Sequence, residues 1–363
     1  MKRFFAGTAA VAAAVLFLSL PCGAVSAQKA ILLDAQTGRV LYEKDANSRS
    51  LIASTTKIMT ALVVCEHCNV LDRMRIPKEA VGIEGSSMYL KEGEVLTLQE
   101  LLYGLMLHSG NDAAVALAIH CAGTVEGFAG MMNDQARQLG LTGTHFENPH
   151  GLDSPGHYST ARDLAVLAAY AMKNPIFYQT VSTKNVRVGA RSLQNHNKLL
   201  WRVDGVEGVK TGFTKQAGRL LVSSATREGR RLICVTINDG NDWADHEALL
   251  EKGFGAYTME NIVVSGTVLG ETTIFSGSSE KVPLIAAERF SFPLAAGEKP
   301  EIILSAPNFA YAPVVKGKTA GYAYVCIGQE VAGKVRLVYG ATVEQKKAEE
   351  KRHFWSGWFG DKQ

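Results

Sequence analysis

Ser54-Thr55-Thr56-Lys57 sets a hydroxyl and an amine three residues apart, so on a helix both lie on one face. A serine hydroxyl is a weak nucleophile until a base takes its proton. A buried lysine beside other cations can have its pKa lowered enough to act as that base. A helix N-terminus adds positive potential where negative charge develops. The same spacing recurs at Ser26…Lys29 and Ser278…Lys281. The first straddles the expected end of a leader, and the second lies in a Gly-Ser turn. Neither opens an apolar-periodic helix, so both are read as chance.

Two further triplets follow Ser54 in order. Ser109-Gly110-Asn111 falls between two expected helices. Its serine can relay a proton and its asparagine amide can hold a substrate backbone. Lys210-Thr211-Gly212 comes just before an expected strand, Arg219–Thr226. Here the lysine offers positive potential, the threonine a hydroxyl for a carboxylate, and the glycine room for close approach. Each triplet is common alone; the ordered set is specific.

The elements that must carry these residues are readable from periodicity. Ala30–Asp34 and Val40–Tyr42 flank Thr37-Gly38 as a hairpin. Ile58, Ala61, Leu62 and Cys65 recur at helical spacing, as do Leu98, Leu101, Leu102, Leu105 and Met106. Further helices are expected over Asp112–Cys121, Val125–Leu139 and Ala161–Met172. Arg219–Thr226 and Arg231–Ile237 read as strands joined at Glu228-Gly229. Strand pair, helical block, strand pair indicates α/β (α+β) architecture with an antiparallel sheet. From residue 259 to 342 short β-rich runs separated by Gly and Pro predict a small all-β, sandwich-like domain.

Composition bounds the rest. The 363 residues are 47% hydrophobic and 20% charged, which excludes wholesale disorder and fits two domains. Lys2 and Arg3, the apolar run Ala9–Leu20 and the small residues Val25-Ser26-Ala27 read as an export signal over residues 1–27. Without it, 36 basic side chains face 35 acidic ones, so nucleic-acid binding is not expected. Cys65-Glu66-His67-Cys68 could suggest zinc or redox chemistry. It lies within an apolar helix without a completing ligand set, so two buried or half-buried thiols are expected, and whether they pair stays open. His150 and His157 sit in a Pro- and Gly-rich stretch without metal spacing, and are expected to brace loops. In the tail, residues 343–363, Phe354, Trp355, Trp358 and Phe359 group on one helical side after Lys346, Lys347, Lys351 and Arg352. That pattern predicts an amphipathic anchor at a membrane surface.

On these motifs the chain resembles the low-molecular-weight penicillin-binding proteins, the serine-type D-alanyl-D-alanine carboxypeptidases. The likeness extends through Leu107–Ala113, Asn148–Asp153, His157–Leu164 and Gly208–Thr214. It implies a penicillin-binding transpeptidase/β-lactamase-like catalytic domain over residues 28–258, ahead of the β-rich domain. By that resemblance Ser54 attacks the bond between two terminal D-alanines, Lys57 takes its proton, and Ser109 protonates the leaving D-alanine. Asn111 grips the peptide, and Lys210, Thr211 and Gly212 receive its terminal carboxylate. The N–H groups of Ser54 and Phe213 form the oxyanion hole. The resemblance implies no cofactor and no metal. The partners it implies are the peptidoglycan stem peptide and β-lactams, on the outer face of the cytoplasmic membrane. Alternatives are a β-lactamase using Glu147, a D,D-endopeptidase, or a non-catalytic peptidoglycan-binding or β-lactam-sensing protein.

Overall fold

The computed structural model describes residues 25–347. Residues 1–24, within the expected export signal, and the tail from residue 348 lie outside the described residues. The chain divides into two compact units between Lys252 and Gly253. The boundary expected at 258 falls instead within a strand, Tyr257–Val263.

The first unit builds a five-stranded antiparallel sheet in the order β2-β1-β9-β8-β7. Its strands are β1 (Lys29–Asp34), β2 (Val40–Lys44), β7 (Val206–Thr214), β8 (Gly218–Arg227) and β9 (Arg230–Ile237). The β1–β2 hairpin is set by Asp34, whose Oδ1 accepts from the N–H groups of Gln36 and Thr37 and from the Thr37 hydroxyl. Arg230 pairs with the other Asp34 oxygen at 2.8 Å and ties β9 to that turn. Two short hairpins lie outside the sheet: β3 (Arg73–Arg75) with β4 (Val95–Thr97), and β5 (Asn185–Val188) with β6 (Arg191–Gln194).

The helical block comprises α1 (Lys57–His67), α2 (Leu98–Leu107), α3 (Asn111–Ala122), α4 (Val125–Gln138), α5 (Ala161–Ala171), α6 (Pro175–Ser182) and α7 (Leu199–Arg202). Their starts carry local signals. Thr97 and Glu100 form a capping box on α2. Thr124 and Thr160 cap α4 and α5, and Asn174-Pro175 opens α6. Every residue of α1 from Lys57 to Val64 is buried. A helix apolar on all sides belongs inside a core, and α1 packs against α2, α3 and α5. Lys57 thus enters the interior as the first residue of a helix whose first eight residues are all buried. Cys68 is bonded to Cys121, joining the end of α1 to α3, while Cys65 stays free and half-buried. This corrects the expectation of two thiols. The partner came from a helix 53 residues away, which short-range spacing does not reveal.

A further helix, α8 (Asp242–Ala256), ends the first unit and enters the second. The second unit is β-rich, as expected. Its six-stranded sheet runs β14-β16-β17-β12-β11-β15, and β10 (Tyr257–Val263) pairs separately with β13 (Phe290–Ala295). The six are β11 (Val268–Phe275), β12 (Lys281–Ala286), β14 (Pro300–Ser305), β15 (Phe309–Tyr311), β16 (Thr319–Ile327) and β17 (Glu330–Tyr339). Val263, Leu284, Ala323, Val325, Val335 and Leu337 form its main core.

Candidate active site

The nucleophile candidate is placed by a single 3-10 turn, Ala53–Thr56, which runs directly into α1. Ala53, just before Ser54, has a left-handed backbone at φ +45°. Such a conformation is costly for a residue with a Cβ and persists only where its surroundings impose it. The surroundings are visible. A Cβ on Gly151 (φ +89°) would lie 1.9 Å from the Ala53 carbonyl oxygen, so the 148–152 loop presses on this turn. Thr60 Oγ1 donates to the Pro149 carbonyl at 2.6 Å and fixes the same loop against α1.

Lys57 Nζ donates to Asn111 Oδ1 and to the His150 carbonyl, both at 2.6 Å, and stands 3.0 Å from Ser54 Oγ. Burial pushes its pKa well below the ordinary lysine value, the Lys210 charge pushes the same way, and Asp112 opposes both. The shift is toward the neutral amine, whose two N–H groups can serve Asn111 and His150 while its lone pair faces the Ser54 hydroxyl it would deprotonate.

Ser109 occupies the junction of α2 and α3, buried and left-handed at φ +62°. Asn111 opens α3 and is oriented from both ends of its side chain: Oδ1 accepts from Lys57, and Nδ2 donates to the Glu84 carbonyl at 2.5 Å. Asp112, its neighbour, is fully engaged with the segment that walls the cleft. It accepts from the Ser87 hydroxyl and from the N–H groups of Met88, Leu90 and Ala113. Sequence reasoning gave Asp112 no role. Its place inside the matched stretch Leu107–Ala113 was the available signal.

Lys210, Thr211, Gly212 and Phe213 come ahead of strand β8, as expected, and themselves lie in a strand, β7. Among the described residues β7 pairs with β8 alone, at the edge of the five-stranded sheet, the position at which an extended peptide can add as a further strand. Lys210 is buried, donates to the Thr211 carbonyl, and has its pKa brought down to about 7 by burial. A Cβ on Gly212 would lie 3.3 Å from the Ser54 nitrogen, so the strand passes close to the Ser54 backbone. Phe213 is exposed.

Ser54, Ser86, Ser109, Thr211, Gly212 and Phe213 together line one cleft, to which His196, Lys198, Arg219 and Trp243 also contribute. The cleft thus holds residues from all three motifs, and Lys57 and Asn111 are bonded to its floor. The imidazoles of His150 and His157 stand apart from this constellation, which His150 joins only through its carbonyl. His157 Nδ1 accepts from the Glu147 N–H, so Nε2 carries the proton and donates to Thr56 Oγ1 at 2.7 Å. His150 Nδ1 accepts from the Leu152 N–H. Burial lowers both imidazole pKa values, to about 3 for His150 and about 4 for His157, so both stay neutral loop braces. Glu147 is exposed and committed to Ser154 and the Gly156 N–H.

Residues 16–241 match the family model described as D-alanyl-D-alanine carboxypeptidase, and residues 257–345 match the C-terminal domain of penicillin-binding protein 5. The chain is 35% identical over 317 residues to the D-alanyl-D-alanine carboxypeptidase DacC of Escherichia coli, spanning 82% of this chain and 79% of that protein. It is 33% identical over 313 residues to DacF of Bacillus subtilis, covering 81% and 80% respectively. The crystal structure of penicillin-binding protein 5 from Haemophilus influenzae is similar at TM-score 0.77 and 31% identity, over 88% of this chain and 98% of that one.

Proposed function

The chain belongs to the serine-type D-alanyl-D-alanine carboxypeptidase family of low-molecular-weight penicillin-binding proteins, and on that premise we propose how its residues divide the work. Ser54 Oγ attacks the carbonyl carbon of the penultimate D-alanine while Lys57 Nζ takes its proton. The oxyanion rests between the N–H groups of Ser54 and Phe213. As the C–N bond breaks, Ser109 passes a proton to the amine of the departing D-alanine. Water then attacks the Ser54 ester, releasing the shortened peptide and restoring the hydroxyl. A β-lactam amide opens by the same first steps, but its nitrogen stays tethered.

Asn111 holds the peptide backbone, and Lys210 and Thr211 hold the terminal carboxylate, with Gly212 giving the substrate room. The observation that carries this reading is the 3.0 Å contact between a buried, pKa-lowered Lys57 and Ser54 Oγ.

The enzyme works outside the cytoplasmic membrane, exported by the signal over residues 1–27 and held at the membrane surface by the tail, residues 343–363. Support for both comes from their sequence patterns: an apolar run ending in small residues, and aromatic residues grouped beside lysines and arginines.

D-alanine release from a peptide ending in D-Ala-D-Ala, compared with the same peptide as its C-terminal amide, tests the carboxylate assignment. The free acid should react at least tenfold faster, since about 1.4 kcal/mol corresponds to each factor of ten. Thr211→Val should narrow that gap. Equal rates for acid and amide in the wild type would sink the assignment.

A further inference from the structure

The catalytic cleft continues past His196. Gln194, Asn195, His196, Lys198, Trp201 and Arg202 line a second groove of about 580 Å³, and His196 and Lys198 line the cleft as well. The two spaces therefore share a wall.

This groove is built on a pinned backbone. Asn195 is buried, and its Nδ2 donates to the carbonyls of Val181 and Thr183. Its Oδ1 accepts from the Asn197 N–H, and Asn197 Oδ1 accepts from the Leu199 N–H. With Asn195 and Asn197 facing inward, the alternate residues Gln194, His196 and Lys198 are exposed. Trp201 and Arg202 follow on α7, both exposed, and Lys184 Nζ stands 5.9 Å from the Trp201 ring centroid. None of the groove's lining residues is acidic. Two exposed cations, Lys198 and Arg202, an aromatic face and a neutral amide suit an anionic group of a peptide.

The groove's place relative to the scissile bond follows from the site. The terminal carboxylate is assigned to Lys210 and Thr211, and His196 lines the cleft together with Thr211. The space beyond His196 is then on the leaving-group side.

We propose that this groove binds a second carboxylate on the leaving side of the scissile bond, so that the enzyme also releases C-terminal D-residues larger than alanine that carry an acidic side group. The proposal rests on the carboxylate assignment above. The chemistry is unchanged: the same amide C–N bond breaks, the leaving amine takes the same proton, and water resolves the same Ser54 ester. Only the leaving residue is larger.

Three peptides that differ in the last residue test it: D-Ala-D-Ala, D-Ala-D-Glu and D-Ala-D-Gln. In the wild type the D-Glu peptide should exceed the D-Gln peptide at least fivefold in kcat/KM, mainly through KM, and the advantage should shrink with added salt. Arg202→Glu should erase that advantage while leaving turnover of the D-Ala-D-Ala peptide within twofold. Arg202 is exposed, so folding of the variant is checked simply by an unchanged melting temperature. Equal D-Glu and D-Gln rates in the wild type overturn the proposal, as does an advantage that survives Arg202→Glu. An acid preference found only for a residue on the acyl side of the bond would overturn the leaving-side placement. The acid–amide comparison of D-Ala-D-Ala reports separately on the assignment beneath it.

Discussion

Ser54 Oγ lies 3.0 Å from Lys57 Nζ, within hydrogen-bond reach, and that lysine is wholly buried. Burial and the Lys210 charge both disfavour the ammonium form, so the amine is poised to take a proton rather than to give one. Its other two partners, the Asn111 side chain and the His150 carbonyl, fix its direction. General-base assistance of this kind contributes roughly 10²- to 10⁴-fold.

Lys57→Ala should therefore slow acylation by penicillin at least about 100-fold with Ser54 intact. Lys57→Arg should fare no better, because guanidinium keeps its proton at all working pH values. Rates of covalent labelling measure this directly. A loss under tenfold in Lys57→Ala would place the base elsewhere.

The pH dependence follows from two lysines with opposite requirements. Lys57 must be neutral to accept a proton, so kcat/KM rises as pH climbs through its lowered pKa. Lys210 must be charged to hold a carboxylate, and burial brings its pKa down to about 7. Activity should fall as pH climbs past that value in the free enzyme. Lys210→Arg should carry the falling limb to much higher pH, since arginine stays charged. A falling limb left in place by that change would belong to another group.

Much of this site was legible in the sequence because S-x-x-K, S-x-N and K-T-G are local patterns, each carried by one turn or one strand. The hairpin around Thr37-Gly38 and the helical periods of α1 and α2 were legible for the same reason. What escaped notice depends on distant partners. β7 was not recognised as a strand: Gly208, Lys210 and Gly212 interrupt any alternation, and β7 forms by pairing with β8. The Cys68 link to Cys121 needed the packing of α1 near α3. The groove past His196 depends on an irregular segment and a four-residue helix too short to show a period.

Asp112 offers a test of an unanticipated residue. Its carboxylate accepts four hydrogen bonds and raises the Lys57 pKa. Asp112→Asn keeps the size but turns an amide N–H₂ toward a backbone donor, which should cost about 1–3 kcal/mol of stability. The rising limb of the pH–rate profile should also move to lower pH, because the charge favouring Lys57 ammonium is gone. Denaturant unfolding and the pH profile separate the two effects. A destabilised variant with an unmoved limb would leave Asp112 a scaffold alone.

Gly151 tests the packing behind the nucleophile. An alanine there meets the Ala53 carbonyl oxygen and must also hold a left-handed backbone. Gly151→Ala should cost about 1–3 kcal/mol in strain alone and slow acylation by displacing the Ala53–Thr56 turn. Normal melting and normal labelling together would show that the loop yields without disturbing Ser54.

The central claim is that Ser54 carries the acyl group. The most direct measurement is mass spectrometry of proteolytic peptides after brief exposure to a penicillin. The added mass should appear on the peptide containing Ser54, with fragment ions assigning it to that residue, and Ser54→Ala should show no adduct. An adduct on Ser278, or labelling that persists in Ser54→Ala, would contradict the account.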